Sequence, residues 1–303
     1  MDSSRRIAVS GSSGLIGSAF AAAAEMKGRR VMRLRRGQDK LTSDDVFWAP
    51  REGVIDDLRL EGVEAVVHLA GENIAGGRWS RSRKELIYES RVGGTRLLAG
   101  ALAGLRRKPK VFVCASAVGF YGDREEEVDE DSAPGAGFLS ALCRAWEAAA
   151  EPAAAAGIRT VLLRIGVVLS PRGGALKKML PPFKLGAGGA VGGGRQPMAW
   201  VALDDAVGAI EFVLENAALS GPVNLTAPGL VTNGEFARTL GAVLGRPVLL
   251  PLPAFAVRLL LGEMGEALLL GGAPVRSKRL AEAGYRFAHP ELDGALRHVL
   301  RRR

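Results

Sequence analysis

Residues 7–17 read Ile7-Ala8-Val9-Ser10-Gly11-Ser12-Ser13-Gly14-Leu15-Ile16-Gly17, and this stretch decides the fold. A short apolar run passes into a Gly-x-x-Gly-x-x-Gly turn and then into the Ala-rich stretch 15–26. That order predicts strand, turn and helix. Gly11 permits the sharp turn off the strand, Gly14 lets bare backbone approach a pyrophosphate, and Gly17 lets the helix pack closely on a sheet. The helix start, with Ser13, Leu15 and Ile16 beside the glycines, presents free N–H groups and the positive end of the helix dipole to phosphate. A glycine triplet alone is weak evidence, but this one stands between the first strand and the first helix, where a dinucleotide-binding turn must stand.

Outward from that turn, short β-branched runs alternate with helical patterns. Strands are predicted at 31–34, 63–70, 111–116 and 160–168, with helices at 83–102 and 139–156 between them. Near-continuous apolar strands separated by helices imply a parallel sheet covered on both faces. The character changes near Ser170. A glycine-rich segment at 186–196 is followed by a predicted helix at 204–216, a strand at 222–225 and a helix at 233–244 with Thr232 or Asn233 as N-cap. Two further helices are predicted at 254–270 and 277–283. The expected fold class is α/β: a Rossmann-type doubly wound parallel sheet with a smaller C-terminal lobe on the substrate side. The expected division is a dinucleotide-binding domain over 1–220 and the lobe over 221–303.

Composition sets bounds on partners. The chain of 303 residues is 48% hydrophobic and 24% charged, which suits an ordinary soluble globular protein. Its formal net charge of +9 raises nucleic acid as a partner. The basic residues are dispersed, however, and no recognition module accompanies them, so affinity for anionic small molecules is the better reading. Cys114 and Cys143 stand far apart with no His cluster beside them, so neither a disulfide framework nor a metal site is expected, and a reducing cytoplasm fits. No charged-then-apolar leader opens the chain. The longest apolar stretch, 249–272, is interrupted by Arg258, Glu263 and Glu266, which argues against a membrane span. The remaining expectation is a monomer or homodimer acting on a small molecule.

The end of the second strand selects the cofactor. An acidic residue there bonds the ribose 2′-hydroxyl of NAD, whereas arginine accommodates the 2′-phosphate of NADP. Arg33, Arg35 and Arg36 occupy this place, with no acid until Asp39. The guanidinium fork suits phosphate, and Arg35 and Arg36 close the strand, so NADP with these two arginines is the expected pairing.

Later motifs narrow the class. They are His68-Leu-Ala-Gly-Glu-Asn-Ile74, Arg78-Trp79, Ser90-Arg91, Val118-Gly-Phe-Tyr-Gly122 and Trp146-Glu147. Further on stand Leu163-Arg-Ile-Gly-Val-Val-Leu169, Gly173-Gly174, Met179-Leu-Pro-Pro-Phe183, Trp200 and Asp204-Asp205. Together they resemble the epimerase-like atypical branch of the extended short-chain dehydrogenases/reductases, over nearly the whole chain. The C-terminal segment is similar to the small domain of unknown function that ends those proteins. The resemblance implies that Leu69, Ala70 and Gly71 pass close to the cofactor, that Glu72 and Asn73 follow at the ligand end of the third strand, and that Arg91 contacts the cofactor.

One departure bears on chemistry. Hydride-transferring members of that superfamily use a Tyr-x-x-x-Lys pair to exchange a proton with substrate. The three tyrosines, Tyr88, Tyr121 and Tyr285, are followed four residues on by Val92, Glu125 and His289. On the helix where the pair belongs stand Leu139 and Cys143. Ser116 at the end of the fourth strand and Tyr121 just after it are the substitute proton handlers, each with a plain reading as a strand-end cap or a packed ring. Cys143 reads as a buried small hydrophobe and His68 as a core residue or cofactor neighbour. The 179–183 and 186–196 segments are expected to cover a substrate pocket that Trp200 lines, unless they are surface loop and core. The expected function is an NADP(H)-dependent oxidoreductase or epimerase-like enzyme. The alternative is an NADP(H)-binding sensor or scaffold without catalysis.

Overall fold

A computed structural model describes residues 6–37 and 41–302. Asp39, the polar opening residues 1–5 and Arg303 lie outside the described residues. Among the described residues ten strands run in chain order: β1 (Arg6–Ser10), β2 (Arg30–Arg35), β3 (Asp45–Ala49), β4 (Val54–Ile55), β5 (Ala65–His68), β6 (Val111–Ala117), β7 (Arg159–Ile165), β8 (Val167–Leu169), β9 (Trp200–Ala202) and β10 (Gly221–Leu225). The helices are α1 (Leu15–Met26), α2 (Arg81–Tyr88), α3 (Gly94–Gly104), α4 (Gly137–Ala148), α5 (Glu151–Ala155), α6 (Gly174–Lys184), α7 (Leu203–Glu215), α8 (Asn233–Leu244), α9 (Ala254–Gly265), α10 (Lys278–Glu282) and α11 (Leu292–Leu300).

The main sheet has eight strands in the order β10-β7-β6-β5-β1-β2-β3-β4. Every pairing in it is parallel except β3 with β4. The chain therefore winds outward from β1 through β2 and β3, returns to the other side of β1, and winds outward again. That reversal opens a crevice at the carboxyl ends of the strands beside β1.

Both faces of the sheet are buried, which is why its strands read as continuous apolar runs. Ala8, Val66, Phe112 and Cys114 face one layer, built with α3 and α4 residues such as Leu98, Leu102, Leu142 and Trp146. Ile7, Val9, Val67, Val113 and Val161 face the other, where Phe20 and Ala24 of α1 meet Val207 and Ile210 of α7. A third cluster gathers α6, α8 and α11 through Leu176, Phe183, Phe236, Leu240 and Leu296.

Several boundaries differ from the sequence expectation. The apolar run 160–168 is two strands, because at Gly166 the chain leaves the main sheet and β8 pairs with β9 instead. Gly166 has no room for a side chain, since a Cβ there would stand 2.9 Å from the Ala199 carbonyl. β10 pairs with β7 at the edge of the main sheet. The helix expected at 83–102 contains a π-helical turn at Glu89–Gly93 between α2 and α3. β3, β4 and α6 were not legible. Pro181 and Pro182 stand inside α6, where proline normally breaks a helix, yet burial of Leu176, Leu180 and Phe183 holds it together.

Candidate functional site

The crevice beside β1 is a groove of about 900 Å³. Its floor is the first turn, Gly11 to Gly14. Its walls come from the ends of three strands: 34–37 after β2, 48–52 at β3, and 69–72 after β5. Ser82, Glu85, Leu86, Glu89 and Ser90 close it from the α2 side.

The glycine turn is shaped by contacts that no side chain survives. Gly11 adopts φ +66°, and a Cβ on it would lie 2.8 Å from the Ala70 nitrogen. A Cβ on Gly17 would lie 2.2 Å from the Gly11 carbonyl. Gly17 therefore packs against the turn itself and is not among the residues that line the groove. Gly14 is the N-cap of α1 and no side chain caps the helix. The first N–H groups of a helix have no partners within it, so this end is a ready anion site. Leu15 and Ile16 contribute backbone there. Their side chains face elsewhere: Leu15 packs on Gly173 and Gly174, and Ile16 joins the α1–α7 layer.

β1 and β5 are locked together at this edge. The Ser10 hydroxyl accepts the N–H groups of Leu69 and Ala70 at 3.1 and 3.2 Å. Its own proton is then directed to His68 Nδ1 at 2.6 Å. That leaves Nε2 to carry the ring proton toward Thr95 Oγ1 at 3.0 Å. Burial holds the His68 pKa down to about 4, so the ring is neutral. His68 is a fully paired core residue.

The loop after β5 is positioned from behind. The Ser90 hydroxyl accepts the Glu72 N–H at 3.0 Å, and Arg91 Nη1 donates to the Glu72 carbonyl at 2.9 Å. Arg91 also lies over the Trp146 ring. It stands behind Gly71, where a Cβ would come within 3.2 Å of its guanidinium carbon. Arg91 is not among the residues that line the groove; it braces the loop that does. The Glu72 carboxylate pairs with Arg83 Nη1 at 3.1 Å.

At the far end of the groove, Arg35 and Arg36 are both exposed. Arg35 Nε bonds Asp45 Oδ1 at 2.6 Å, and Thr42 satisfies the other oxygen of that buried carboxylate. Hydrogen bonds from Thr42 and Arg35 outweigh the opposing effect of burial and keep the Asp45 pKa low. Arg36 makes no ion pair among the described residues. Arg33 is drawn away to Glu25. The lining from β3, Trp48 to Glu52, was missed with the strand itself.

Ser116 and Tyr121 are not on the groove. They belong to a buried polar chain at the carboxyl ends of β6, β7 and β10. The Ser116 hydroxyl donates to Glu147 Oε1 at 2.7 Å. Arg164 grips the same carboxylate through Nε and Nη2 at 2.8 and 2.9 Å. Arg164 Nη1 donates to the Tyr121 hydroxyl at 2.9 Å, and that hydroxyl donates to Asn224 Oδ1 at 2.7 Å. The Arg164 guanidinium also stacks on Phe120 at 3.4 Å. Tyr121 is completely buried, and burial pushes its pKa up against the pull of Arg164. Both candidate proton handlers thus have their protons bonded inside the protein, as a strand-end cap and a packed ring would. Cys143 is buried with its pKa pushed up to about 12, as fits a small hydrophobe. Trp200 is core, its indole N–H bonded to the Gly229 carbonyl at 2.9 Å. The 179–183 segment is helix rather than loop. Val191 in the glycine-rich segment bridges to Leu252.

A parallel sheet with this strand order, a glycine turn at its switch point and an uncapped helix facing the groove define a dinucleotide-binding protein of the short-chain dehydrogenase/reductase type. The family model for the NAD-dependent epimerase/dehydratase family matches residues 7–225, and that for a domain of unknown function, DUF1731, matches 252–299. The chain belongs to the NAD-dependent epimerase/dehydratase family. It is 43% identical to the epimerase family protein Mb2239 of Mycobacterium bovis over 297 residues, 98% of each chain. A crystal structure of the human epimerase family protein SDR39U1 with NADPH superposes with a TM-score of 0.88 at 35% identity, covering 98% of this chain and 99% of that one. The UDP-glucose 4-epimerase of Thermotoga maritima, at 18% identity and TM-score 0.74, covering 98% of each chain, shares the fold. Among the described residues, no helix is long and apolar enough to cross a membrane.

Proposed function

We propose that this chain binds NADP(H) in the groove and acts on a small molecule as an NADP-dependent epimerase-like or oxidoreductase enzyme. The observation that carries the cofactor assignment is the pair of exposed arginines at the end of β2. Among the described residues, the Asp45 carboxylate beside them is already spent on Arg35 and Thr42. The human relative crystallised with NADPH supports the same reading. Gly11, Ser13, Gly14 and the first N–H groups of α1, including those of Leu15 and Ile16, would hold the pyrophosphate, with Gly17 keeping the turn closed. Arg35 and Arg36 would hold the 2′-phosphate. Leu69, Ala70, Gly71 and Glu72 would lie along the nucleotide, with Arg91 holding them in place.

When bound, the nicotinamide supplies or takes up a hydride. The chain's own contribution is orientation. The uncapped helix end fixes the diphosphate, and the brace of Arg91, Ser90 and Ser10 holds the loop after β5 still. The second reading, binding without turnover, is favoured by the buried chain from Ser116 to Asn224, which removes both substitute proton handlers from the groove. A screen of carbonyl compounds and sugar nucleotides that follows NADPH absorbance separates the two. Turnover of any class supports the enzyme. Tight NADPH binding with no turnover across the classes leaves the sensor or scaffold.

A further inference from the structure

The chain has three histidines, and the fold brings two of them together. His289 lies in the loop ahead of α11 and His298 in the last turn of α11. Their rings stack with centroids 4.0 Å apart and planes 24° from parallel. Asp204, in the first turn of α7, meets them: its Oδ2 lies 2.6 Å from His298 Nε2. One ligand atom from each of the three lies within 4.8 Å of the others. The sequence offered no sign of this, because the three positions are dispersed over the second half of the chain.

The neighbouring residue makes the arrangement specific. Asp205 is buried, and its carboxylate accepts the backbone N–H groups of Ala288 and His289 at 2.6 and 3.0 Å. Tyr285 donates to its carbonyl at 2.8 Å. One turn of α7 therefore both pins the backbone of His289 and points a second carboxylate at the two imidazoles.

We propose that Asp204, His289 and His298 bind one divalent ion of the zinc class, which clamps α11 to the head of α7. Each neutral imidazole has one nitrogen lone pair to give, so the set is two nitrogens and a carboxylate oxygen. That combination suits zinc and its borderline neighbours better than magnesium or calcium, which prefer oxygen alone. A water completes a tetrahedral shell. Donor atoms in such a shell stand about 3.4 Å apart. The present spread closes by small rotations, which the side chains of Asp204 and His298, 61% and 45% exposed, are free to make. The role is structural: none of the three residues lines the groove. The ion ties the third cluster, which holds Leu292 and Leu296 of α11, to the layer that α7 forms against the main sheet.

The test is titration of the full chain, first freed of metal by a chelator, with zinc chloride. Calorimetry reads stoichiometry and affinity, and cobalt(II) absorption reads the ligand geometry. One zinc per chain is expected, with affinity at least tenfold weaker in both His289→Ala and His298→Ala. Zinc raises the melting temperature of the native chain and leaves those variants unmoved. NADPH binding, equal in all, verifies the fold. Should either alanine variant fail to fold, the exposed positions are tested by Asp204→Asn and His298→Gln, with the same expected loss. No zinc at one per chain, or zinc held equally well by the variants, overturns the site.

Discussion

The two halves of the same sheet edge are built in opposite ways. On the β1–β2–β5 side, glycines and an uncapped helix leave backbone N–H groups turned toward an open groove. On the β6–β7–β10 side, Ser116, Glu147, Arg164, Tyr121 and Asn224 satisfy one another in the interior. The first half keeps its polar groups for a ligand. The second half spends them on the protein. An unpaired buried charge is costly, so a closed chain of this kind is a structural commitment rather than a store of reactive groups.

Breaking the closed half gives the largest expected effect. Arg164→Met strands the Glu147 carboxylate and costs about 3–5 kcal/mol of unfolding free energy, read by urea denaturation. NADPH affinity of the folded fraction stays the same. A loss of affinity with little loss of stability would merge the two halves into one site.

Between the halves stands His68. The unfolded chain takes up a proton at this residue below pH about 6.5, while the folded chain resists it until pH about 4. Its contribution is therefore complete above pH about 6.5 and falls as the pH drops toward 4. The loss reaches about 3 kcal/mol. Denaturation at pH 7 and pH 4 measures it as the extra acid sensitivity of the native chain over His68→Gln. Equal sensitivity would mean that the ring is not held neutral.

The open half is sharpened by Arg36→Glu. NADPH binding should weaken roughly thirtyfold, about 2 kcal/mol, through loss of a charge-assisted contact. NADH binding should change little, and fluorescence titration with both nucleotides decides. Equal weakening would remove the 2′-phosphate assignment. The smallest effect belongs to Tyr121→Phe, which leaves the Asn224 amide oxygen without its donor and costs about 1–2 kcal/mol of stability. If a substrate is found, kcat in this variant should match the native value. A drop of several orders of magnitude with intact stability would restore Tyr121 as the proton donor.

Much of the open half was legible because its causes are local. The Gly11–Gly14–Gly17 spacing, the arginines ending β2 and the run Leu69 to Glu72 each act within a few residues of themselves. Trp48 to Glu52 escaped notice because β3 is a short strand whose existence depends on pairing with β2. The closed half was left open between two readings for a related reason. Ser116 and Tyr121 look available in sequence, and their partners Glu147, Arg164 and Asn224 come from other elements. Their protons are taken up only when α4 and β10 come to lie against the ends of β6 and β7.

From the sequence alone came the doubly wound sheet and the glycine turn at its switch point, because alternation of apolar runs and glycine spacing are written along the chain. Tertiary structure alone decided where the strand run breaks at Gly166, that Arg91 braces rather than lines, that Tyr121 is sealed, and that His289 and His298 meet Asp204. These depend on which atoms are brought within a few ångströms by packing. A linear order of residue types carries that information only through the whole fold.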